Sequence, residues 1–574
     1  MIYWKKNPAA SRLLNVIIMA SLIIGLGITP PAFADDDDDD ASRGINSNHC
    51  KNVIILIPDG CSQSIQTLSR WYKDAMLAVD GIQVGAVKHE MADSVITDSA
   101  AAATAFATGV KTSNGFLGVA PDYSTLLSRY VGYEPPDTEQ YEPLASVMEG
   151  AKLKGKATGL VVTCRFSHAT PAAWASHHHK RGDEDKTVSE HIVYNELDLV
   201  FGGGNRNLDP SYRSDGEDLA QVLTDRGYTI VEDRAGMNAV NRLPVYGMFA
   251  YSHMSPEIDR PYDTPDEPSL AEMTEKAIEL LSQDRQGFIL MVEGSQVDWA
   301  GHNNDPIYMV TDFIEFDEAV KVALDFAKKD RHTLVLAYPD HNTGGMDMGN
   351  RARNWDYTGT TVEEMIDPIL GMTRTANAVI AAMNGNYSFN SVQQVIKDLW
   401  NITISMDDYN EMINVMDSEG ASESYALARV ISKNHTSIGW TSHGHNSEDV
   451  PLWAYGPGSP KGLLDNTELA EVVADAFRLN MNSIQNRLFV DLDYVYGQDG
   501  WELDDSDPEN LVARLSGKQG EAELPINKDL LTLKTKWGKD KTYNLEGVVV
   551  YAPVTGKVYV PRQAVNLMKL AGIH

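Results

Sequence analysis

Ser99 is the residue of this sequence best placed to act as a nucleophile. It opens an alanine-rich segment, Thr-Asp-Ser-Ala-Ala-Ala-Ala-Thr-Ala-Phe-Ala-Thr-Gly (97–109), that is typical of a helix. A hydroxyl in the first turn of a helix lies near unpaired backbone N–H groups and the positive end of the helix dipole, and both favour a phosphate anion. A metal ion on the hydroxyl oxygen would supply the alkoxide. The alternative is that Asp98 or Ser99 only caps the helix.

Potential metal ligands occur at spacings that would bring them together. Asp298 and His302 are four positions apart, so that on a helix they would project from one face. Asp340 and His341 are adjacent after an apolar run, and a glycine-flanked loop supplies His445. Imidazole with carboxylate suits zinc, whereas carboxylate with hydroxyl suits magnesium. The pattern predicts a cluster of several metal ions, although each residue taken alone could equally be structural.

The elements that must position these residues follow an α/β pattern. Apolar runs typical of fully buried strands occupy 52–57, 158–162, 287–292, 332–337 and 452–455, and helical patterns occupy 99–108, 144–153, 270–283 and 310–328. Buried strands that alternate with helices predict a three-layer αβα sandwich with a mostly parallel central sheet. Ligands of such sheets bind beyond the carboxyl ends of the strands. Asp59, Glu293 and Asp340 each follow a predicted strand, which places them at that edge.

Composition and charge exclude several classes of protein. The 574 residues include 48 Lys+Arg and 81 Asp+Glu, which gives a formal charge of −33. This balance disfavours a nucleic-acid partner and an anionic membrane surface, because both are recognised by basic residues. Three cysteines rule out a disulfide-stapled scaffold and a cysteine-rich zinc module. We expect Cys50, Cys61 and Cys164 to be buried free thiols, and a pair between Cys50 and one of the others is the alternative.

The first residues have the pattern of an export signal. Basic residues precede an apolar run at 13–28, and Ala-Phe-Ala follows at 32–34. We therefore predict a signal peptide at 1–34, with a periplasmic or extracellular destination; an uncleaved membrane anchor is the alternative, although the run is short for a bilayer span. An acidic tail at 35–50 would be solvated or would bind calcium weakly. No later apolar stretch is long enough to span a membrane.

Six strings, in their order along the chain, resemble the alkaline phosphatase family. They are Asn-Val-Ile-Ile-Leu-Ile-Pro-Asp-Gly (52–60), the Ser99 segment within 95–112, Gly-Leu-Val-Val-Thr-Cys-Arg-Phe-Ser-His-Ala-Thr-Pro-Ala-Ala (159–173), Met-Val-Glu-Gly-Ser-Gln-Val-Asp-Trp-Ala-Gly-His (291–302), Pro-Asp-His-Asn-Thr-Gly-Gly (339–345) and Ser-His-Gly-His-Asn-Ser-Glu-Asp-Val-Pro (442–451). The combination is highly specific for that family.

The resemblance assigns roles to individual residues. It makes Ser99 the nucleophile that becomes phosphoserine, and it implies two zinc ions and one further ion, usually magnesium. The implied ligand sets are Asp298, His302 and His445 for the first zinc, Asp59, Asp340 and His341 for the second, and Asp59, Thr170 and Glu293 for the third ion.

Four further features qualify this assignment. Arg181 falls where the family places an arginine that binds phosphate, and a planar guanidinium can bind two phosphate oxygens at once.

His168 stands where some members have Asp, so we include it as a metal ligand and leave the identity of the third metal open. His443 competes with His445, but the spacing to the following strand favours His445. We expect residues 177–179, three consecutive histidines, to form a solvated loop.

The function that the resemblance implies is hydrolysis of small-molecule phosphate monoesters by a homodimer. A phosphodiesterase or a sulfatase of the same superfamily is the alternative within this fold, although a sulfatase-type Cys/Ser-x-Pro-x-Arg motif is absent near Ser99. A non-catalytic surface or adhesion protein is the alternative from another class. The complete set of nucleophile and ligands argues against it.

The chain divides into a catalytic domain and a smaller addition. We predict a catalytic domain at 51–480, with a crown-like insertion at 346–438, and a β-rich C-terminal domain at 485–574. Short strands of the C-terminal domain are expected at 487–496, 524–526, 531–534, 547–551 and 557–560, with a closing helix at 562–570.

Overall fold

The computed structural model describes residues 50–125, 138–352, 357–535 and 538–573. The predicted signal peptide and nearly all of the predicted acidic tail lie outside the described residues. None of the described helices is long and apolar enough to cross a bilayer.

The strands carry the β-branched and apolar runs that the sequence analysis identified. They are β1 (Asn52–Pro58), β2 (Gln83–Lys88), β3 (Ala157–Arg165), β4 (Leu199–Gly203), β5 (Thr229–Val231), β6 (Val245–Ala250), β7 (Phe288–Gly294), β8 (Thr333–Ala337), β9 (Asn342–Thr343), β10 (Met346–Met348), β11 (Ile438–Trp440), β12 (His445–Asn446), β13 (Val450–Tyr455), β14 (Gly462–Asp465), β15 (Val490–Asp491), β16 (Glu502–Asp504), β17 (Val512–Gly517), β18 (Gly520–Pro525), β19 (Leu530–Thr535), β20 (Lys541–Asn544), β21 (Val550–Ala552) and β22 (Lys557–Val560).

A ten-stranded sheet forms the centre of the molecule, with the order β14-β2-β13-β8-β1-β7-β3-β4-β6-β5. Its neighbours pair in parallel except β13, which is antiparallel to both β2 and β8. The predicted mostly parallel α/β sheet is thus confirmed. The register pairs Ile57 of β1 and Val162 of β3 with Glu293 of β7, so these strands end at the same edge.

Apolar side chains cover both faces of the sheet. Successive residues of β1 point to opposite faces: Ile54 and Leu56 join one buried cluster, whereas Val53 and Ile55 join another. A strand that is buried on both faces needs helices above and below it. The three-layer arrangement follows from this burial.

Helices fill the outer layers and the additions to the core. The α-helices span Gln63–Lys73, Ser99–Thr108, Val147–Leu153, Ala169–Ala172, Ser189–Tyr194, Leu219–Asp225, Arg234–Ala239, Arg260–Asp263, Leu270–Leu281, Gln296–Asn303, Pro306–Asp330, Val362–Leu370, Ala376–Ala382, Phe389–Trp400, Met406–Glu419, Glu423–His435, Asn466–Phe477, Met481–Leu488, Leu492–Tyr496 and Arg562–Leu570. Short 3₁₀ segments lie at Val79–Gly81, Asn205–Leu208 and Tyr357–Gly359, and a π-helical turn lies at Glu184–Val188.

The segment predicted as an insertion leaves and rejoins the core at one strand pair. β10 and β11 are antiparallel partners, and the described residues between them contain five α-helices and one 3₁₀ turn. Apolar residues of these helices, such as Ile396 and Trp400, are buried and belong to the same apolar cluster as one face of the central sheet. The insertion therefore packs continuously onto the core.

The C-terminal region contains two small antiparallel sheets. β16 to β20 form a five-stranded sheet in sequence order, and β15, β22 and β21 form a three-stranded one. The closing helix spans Arg562–Leu570, as predicted.

One predicted strand of this region, 487–496, is wrong. Asn480 caps a helix that runs through Leu488, and Asp491 caps a second helix, because the side-chain oxygens accept hydrogen bonds from Ser483 N and Asp493 N respectively. Only the two residues of β15 remain extended between these helices. Local capping thus overrides the apolar pattern.

Candidate active site

Ser99 is the first residue of its helix, and its hydroxyl is free of a capping role. Asp98 is the N-cap, and its Oδ1 accepts a hydrogen bond from Ala101 N at 3.0 Å. Ser99 is buried, and its Oγ lies 3.2 Å from Nε2 of His341. The structure therefore separates the two readings of this segment, because Asp98 caps the helix and Ser99 faces the ligand cluster.

A first group of potential ligands consists of Asp298, His341 and His445, whose ligand atoms lie within 4.8 Å of one another. His302, one helical turn after Asp298, places Nε2 3.4 Å from Asp298 Oδ2. Nδ1 of His445 lies 2.8 Å from the carbonyl of Thr97, so this nitrogen donates and Nε2 is the ring nitrogen that faces Asp298 and could bind a metal. Backbone carbonyls that orient imidazoles in this way are typical of metal-binding histidines.

His443 does not join this group. Its side chain is exposed and contacts the ring of Tyr425, with the ring centroids 5.3 Å apart. The backbone carbonyl of His443 instead accepts a hydrogen bond from Nδ1 of His302 at 2.6 Å. The structure thus brings His445, the favoured candidate, into the cluster and uses His443 only to orient His302.

A second group consists of Asp59, Asp340 and His341. Gly60 N and His341 N both donate to Asp340 Oδ1 at 3.0 Å. Asp340 Oδ2 and Asp59 Oδ1 are fully buried and have no hydrogen-bond partner. Burial and the neighbouring carboxylates raise the pKa of Asp340 to about 6, and they raise the pKa of Asp59 well above its ordinary value. Buried carboxylates that repel one another are neutralised by protons or by a cation between them.

A third group surrounds Glu293. Its Oε1 and the Oγ1 of Thr170 are buried without a hydrogen-bond partner. Burial raises the pKa of Glu293 to about 7. His168 and Cys164 offer ligand atoms within 4.8 Å of Glu293, and Cys164 Sγ donates to Glu293 Oε2 at 3.3 Å.

Sequence reasoning missed the place of Cys164. The available signal was its position two residues beyond Val162, which pairs with Glu293, because residues i and i+2 of a strand share a face. All three cysteines are buried and none of them forms a disulfide, so the alternative of a Cys50 disulfide is not found.

Arg181 lies beside the N-terminus of the Ser99 helix. Its guanidinium donates to Asp98 Oδ2 at 3.0 Å and to His168 Nε2 at 3.3 Å. Burial lowers the pKa of Arg181, but the contact with Asp98 more than offsets this, so that the guanidinium stays charged. An arginine held at this point can meet an anion that approaches Ser99.

The expectation of a solvated loop at 177–179 is wrong for its first residue. His177 is 1% exposed and places Nε2 3.0 Å from Oε1 of buried Glu149. Its Nδ1 lies 2.9 Å from the carbonyl of Gly118, so both ring nitrogens donate. Burial lowers the pKa of His177, but Glu149 raises it above its ordinary value, and the residue is one half of a buried ion pair.

This chain is similar in sequence to proteins of a known family. The family model described as "Alkaline phosphatase" matches residues 50–479. "Alkaline phosphatase 3" of Bacillus subtilis (strain 168) is 34% identical over 503 residues, which cover 83% of this chain and 99% of that protein.

Solved structures of alkaline phosphatases are also similar to this chain. A crystal structure of a cold-active alkaline phosphatase from a psychrophilic Shewanella sp. is 27% identical, covers 75% of this chain and 99% of that chain, and has a TM-score of 0.62. A structure of the alkaline phosphatase of the Antarctic bacterium TAB5, in which Asp replaces a histidine and Mg is bound in the M3 site, is 27% identical with the same coverage and a TM-score of 0.53. The chain belongs to the alkaline phosphatase family.

Proposed function

We propose that this enzyme hydrolyses phosphate monoesters through a phosphoserine formed at Ser99, in a site that holds three metal ions. One observation carries the proposal: the Ser99 hydroxyl lies 3.2 Å from Nε2 of His341, beside buried oxygens of Asp59 and Asp340 that accept no hydrogen bond and whose only ion-pair contact among the described residues is that same imidazole. Metal-assisted phosphoryl transfer requires a nucleophilic hydroxyl beside oxygen atoms that can bind metal ions, and this site provides both.

The reaction would consist of two displacements at phosphorus, the first by Ser99 and the second by water. Ser99 Oγ forms a bond to phosphorus while the bond from phosphorus to the ester oxygen breaks, and the alcohol leaves with a proton. Water then displaces Ser99 from phosphorus and releases inorganic phosphate. Arg181 and the N–H groups of the Ser99 helix bind the phosphoryl oxygens in both steps, so that positioning and charge stabilisation do most of the catalysis.

The donors fit the metals that we propose. Asp298, His302 and His445 would hold one Zn²⁺, and Asp59, Asp340 and His341 would hold a second. The mixed imidazole and carboxylate set suits zinc. Asp59 Oδ1 and Asp340 Oδ2 fit such an ion, because both are buried, accept no hydrogen bond and would be satisfied by one cation between them. When bound, the ions would lower the pKa of the attacking hydroxyl and of water and neutralise charge on the leaving oxygen.

For the third ion we propose Mg²⁺, held by Asp59, Thr170 and Glu293. Hydroxyl and carboxylate oxygens are the ligands that magnesium prefers. His168 and Cys164 favour a second candidate, zinc, because imidazole and thiolate are softer ligands and both lie beside Glu293. The related TAB5 enzyme holds Mg in its M3 site when Asp replaces a histidine. His168 stands where some members of the family have Asp, so the choice between the two metals depends on His168.

The division into domains and the export of the chain also follow from the sequence pattern as proposals. We propose a catalytic domain at 51–480 with an insertion at 346–438, a C-terminal domain at 485–574, and export to the periplasm or the medium after removal of 1–34. We further propose that the substrates are small-molecule monoesters, that the enzyme binds neither nucleic acid nor membranes, and that it forms a homodimer. The formal charge of −33 supports the absence of a nucleic-acid partner.

Hydrolysis of p-nitrophenyl phosphate tests this function. Activity should disappear on chelation, while the fold is retained, and should return when Zn²⁺ and Mg²⁺ are added together. Bis(p-nitrophenyl) phosphate should be a much poorer substrate. Activity that survives complete metal removal, or a preference for the diester, would contradict the proposal.

A further inference from the structure

The loop that carries Arg181 is tied to the core through its backbone. Arg181 N donates to Gly115 O at 2.8 Å, and His178 exchanges two backbone hydrogen bonds of 2.8 Å with Leu117. These backbone hydrogen bonds fix the position of the loop relative to the segment that follows the Ser99 helix. The other end of the loop is at His177, whose ring contacts Gly118 and Glu149 and whose backbone has a further support.

That support comes from His191. The backbone N–H of His177 donates to Nδ1 of His191 at 3.1 Å, and Ser176 Oγ lies 3.3 Å from the same nitrogen. Because Nδ1 accepts, Nε2 carries the proton of the neutral ring, and it lies 3.1 Å from Oδ1 of Asn527. His191 is 1% exposed, so this tautomer is held by protein groups on both sides.

Asn527 belongs to the C-terminal region, beyond the 50–479 span of the family match. It lies in the turn between β18 and β19 with a φ of +68°, a conformation that asparagine tolerates better than most residues. Its side chain is 8% exposed, and its Nδ2 donates to Glu190 Oε2 at 2.8 Å. Both ends of the amide are therefore committed to the helix that carries His191.

We infer that the C-terminal region is a positioning element for phosphate binding, which acts through Asn527, His191 and His177 on Arg181. The inference rests on the proposed role of Arg181. A hydrogen-bonded chain of buried groups transmits position because each member is held by its neighbour. Asn527 is thus a positioning residue that touches neither the substrate nor a metal ligand.

The variant Asn527→Gly tests this in the full-length, metal-loaded enzyme, since glycine keeps the left-handed turn and removes both side-chain hydrogen bonds. We expect the KM for p-nitrophenyl phosphate and the inhibition constant of inorganic phosphate to rise together by about fivefold, with a smaller change in kcat. Asn527→Asp keeps the oxygen that accepts from His191 but sets an acceptor against Glu190 in place of Nδ2, so its phosphate affinity should lie between those of the wild type and Asn527→Gly.

Asp529→Asn is the matched control. Asp529 forms a part-buried contact from the same turn, with two hydrogen bonds of 2.9 and 2.6 Å to Arg226, but Arg226 lies outside the Arg181 loop. This variant should lose stability and keep its phosphate affinity. Equal losses of phosphate affinity in Asp529→Asn and Asn527→Gly would overturn the inference, because general loosening of the interface would then explain both.

A double-mutant cycle with Arg181→Ala separates this inference from the proposed function. If Asn527 acts through Arg181, Asn527→Gly has no further effect on phosphate inhibition once Arg181 is absent. Additive effects would refute the positioning role alone. An unchanged phosphate inhibition constant in Arg181→Ala itself would refute the assignment of Arg181, whatever Asn527 does. If Asn527→Gly does not fold, normal phosphate affinity in His191→Gln would count against the chain of contacts.

Discussion

Two buried clusters of carboxylates and histidines in this enzyme differ in whether their polar atoms have partners. The first, the site cluster, consists of Asp59, Glu293, Asp340 and His341 at the carboxyl edge of the sheet. Its three carboxylates each leave one buried oxygen without a hydrogen-bond partner. Burial raises the pKa values of all three above the ordinary range.

The second, the loop cluster, consists of Glu149, His177, His191 and Asn527. It is equally buried, yet both oxygens of Glu149 and both ring nitrogens of each histidine have partners. The carboxylate is matched by a charged imidazole rather than by another acid. Burial raises the pKa of Glu149, but His177 lowers it below its ordinary value.

The comparison shows how the same residue types serve two purposes. A cluster that satisfies itself stabilises the fold, whereas a cluster that leaves buried acceptors unmatched is destabilising until a cation binds. Burial and residue type alone do not distinguish the two. Variants of the two clusters should therefore differ in stability and in their response to metal.

Asp340→Asn should produce the largest effect on activity, a loss of about a thousandfold or more, because the second metal site loses a ligand. The metal-free variant should nevertheless be at least as stable as the metal-free wild type, because one of the repelling buried charges is gone. Thermal unfolding after chelation measures this. A metal-free Asp340→Asn that unfolds at a clearly lower temperature would show that the site cluster is not strained without metal.

His177→Gln should produce the opposite result. The change leaves the buried carboxylate of Glu149 without its charged partner, which costs about 3–5 kcal/mol of the free energy of unfolding. Denaturant unfolding of the metal-loaded protein measures the loss. His332→Gln, at an exposed histidine, is the control and should change stability very little. Equal stability of the two variants would mean that the pair of Glu149 and His177 does not stabilise the fold.

The pH dependence of the metal-free protein should reveal the site cluster. The pKa values of Asp340 and Glu293 are raised from 3.8 to about 6 and from 4.5 to about 7, so between these limits the folded state binds more protons than the unfolded state. Stability from this source is present at low pH and is lost as the pH rises through the folded pKa values. The metal-free protein should therefore unfold at a higher temperature at about pH 5 than at about pH 8.

Bound metal reverses this trend, because it favours the ionised carboxylates. Repeating the thermal unfolding with Zn²⁺ and Mg²⁺ present is the control, and the stability should then rise between the same two pH values. A metal-free protein that becomes more stable with rising pH would contradict the account of the site cluster.

Cys164→Ser should produce the smallest effect on turnover, less than about threefold, since the hydroxyl can still donate to Glu293. The change removes the softest donor near the third site, so zinc bound there should give way to magnesium. Metal analysis of the purified protein measures the exchange, and Cys61→Ser is the matched control at another buried thiol. Unchanged metal content in Cys164→Ser would mean that Cys164 does not contribute to that site.

The sequence was sufficient to predict the sheet and the edge at which the site lies. The strand predictions succeeded because 53–57 and 334–337 are continuously apolar, which is typical of strands that are buried on both faces. The placement of Asp298, Asp340 and His445 followed from spacing and from the family resemblance. Both kinds of prediction used information that lies close together in the sequence or that the family resemblance supplied.

Long-range partners were not predictable in this way. His177 was expected in solvent because its string is polar, and its partners Glu149 and Gly118 lie far from it in sequence. Asn527 is 336 positions from His191. No pattern of a single sequence indicates such pairs, because their stability depends on the packing of two regions against each other.

Trapping the phosphoryl group tests the central claim most directly. The enzyme is mixed with a labelled phosphate monoester, quenched in acid and digested, and the labelled peptide is identified. The account predicts one labelled residue, Ser99, with the label lost in Ser99→Ala and kept in Ser94→Ala, a serine just before the Ser99 segment. Label on another residue, or full turnover by Ser99→Ala with no labelled peptide, would contradict it.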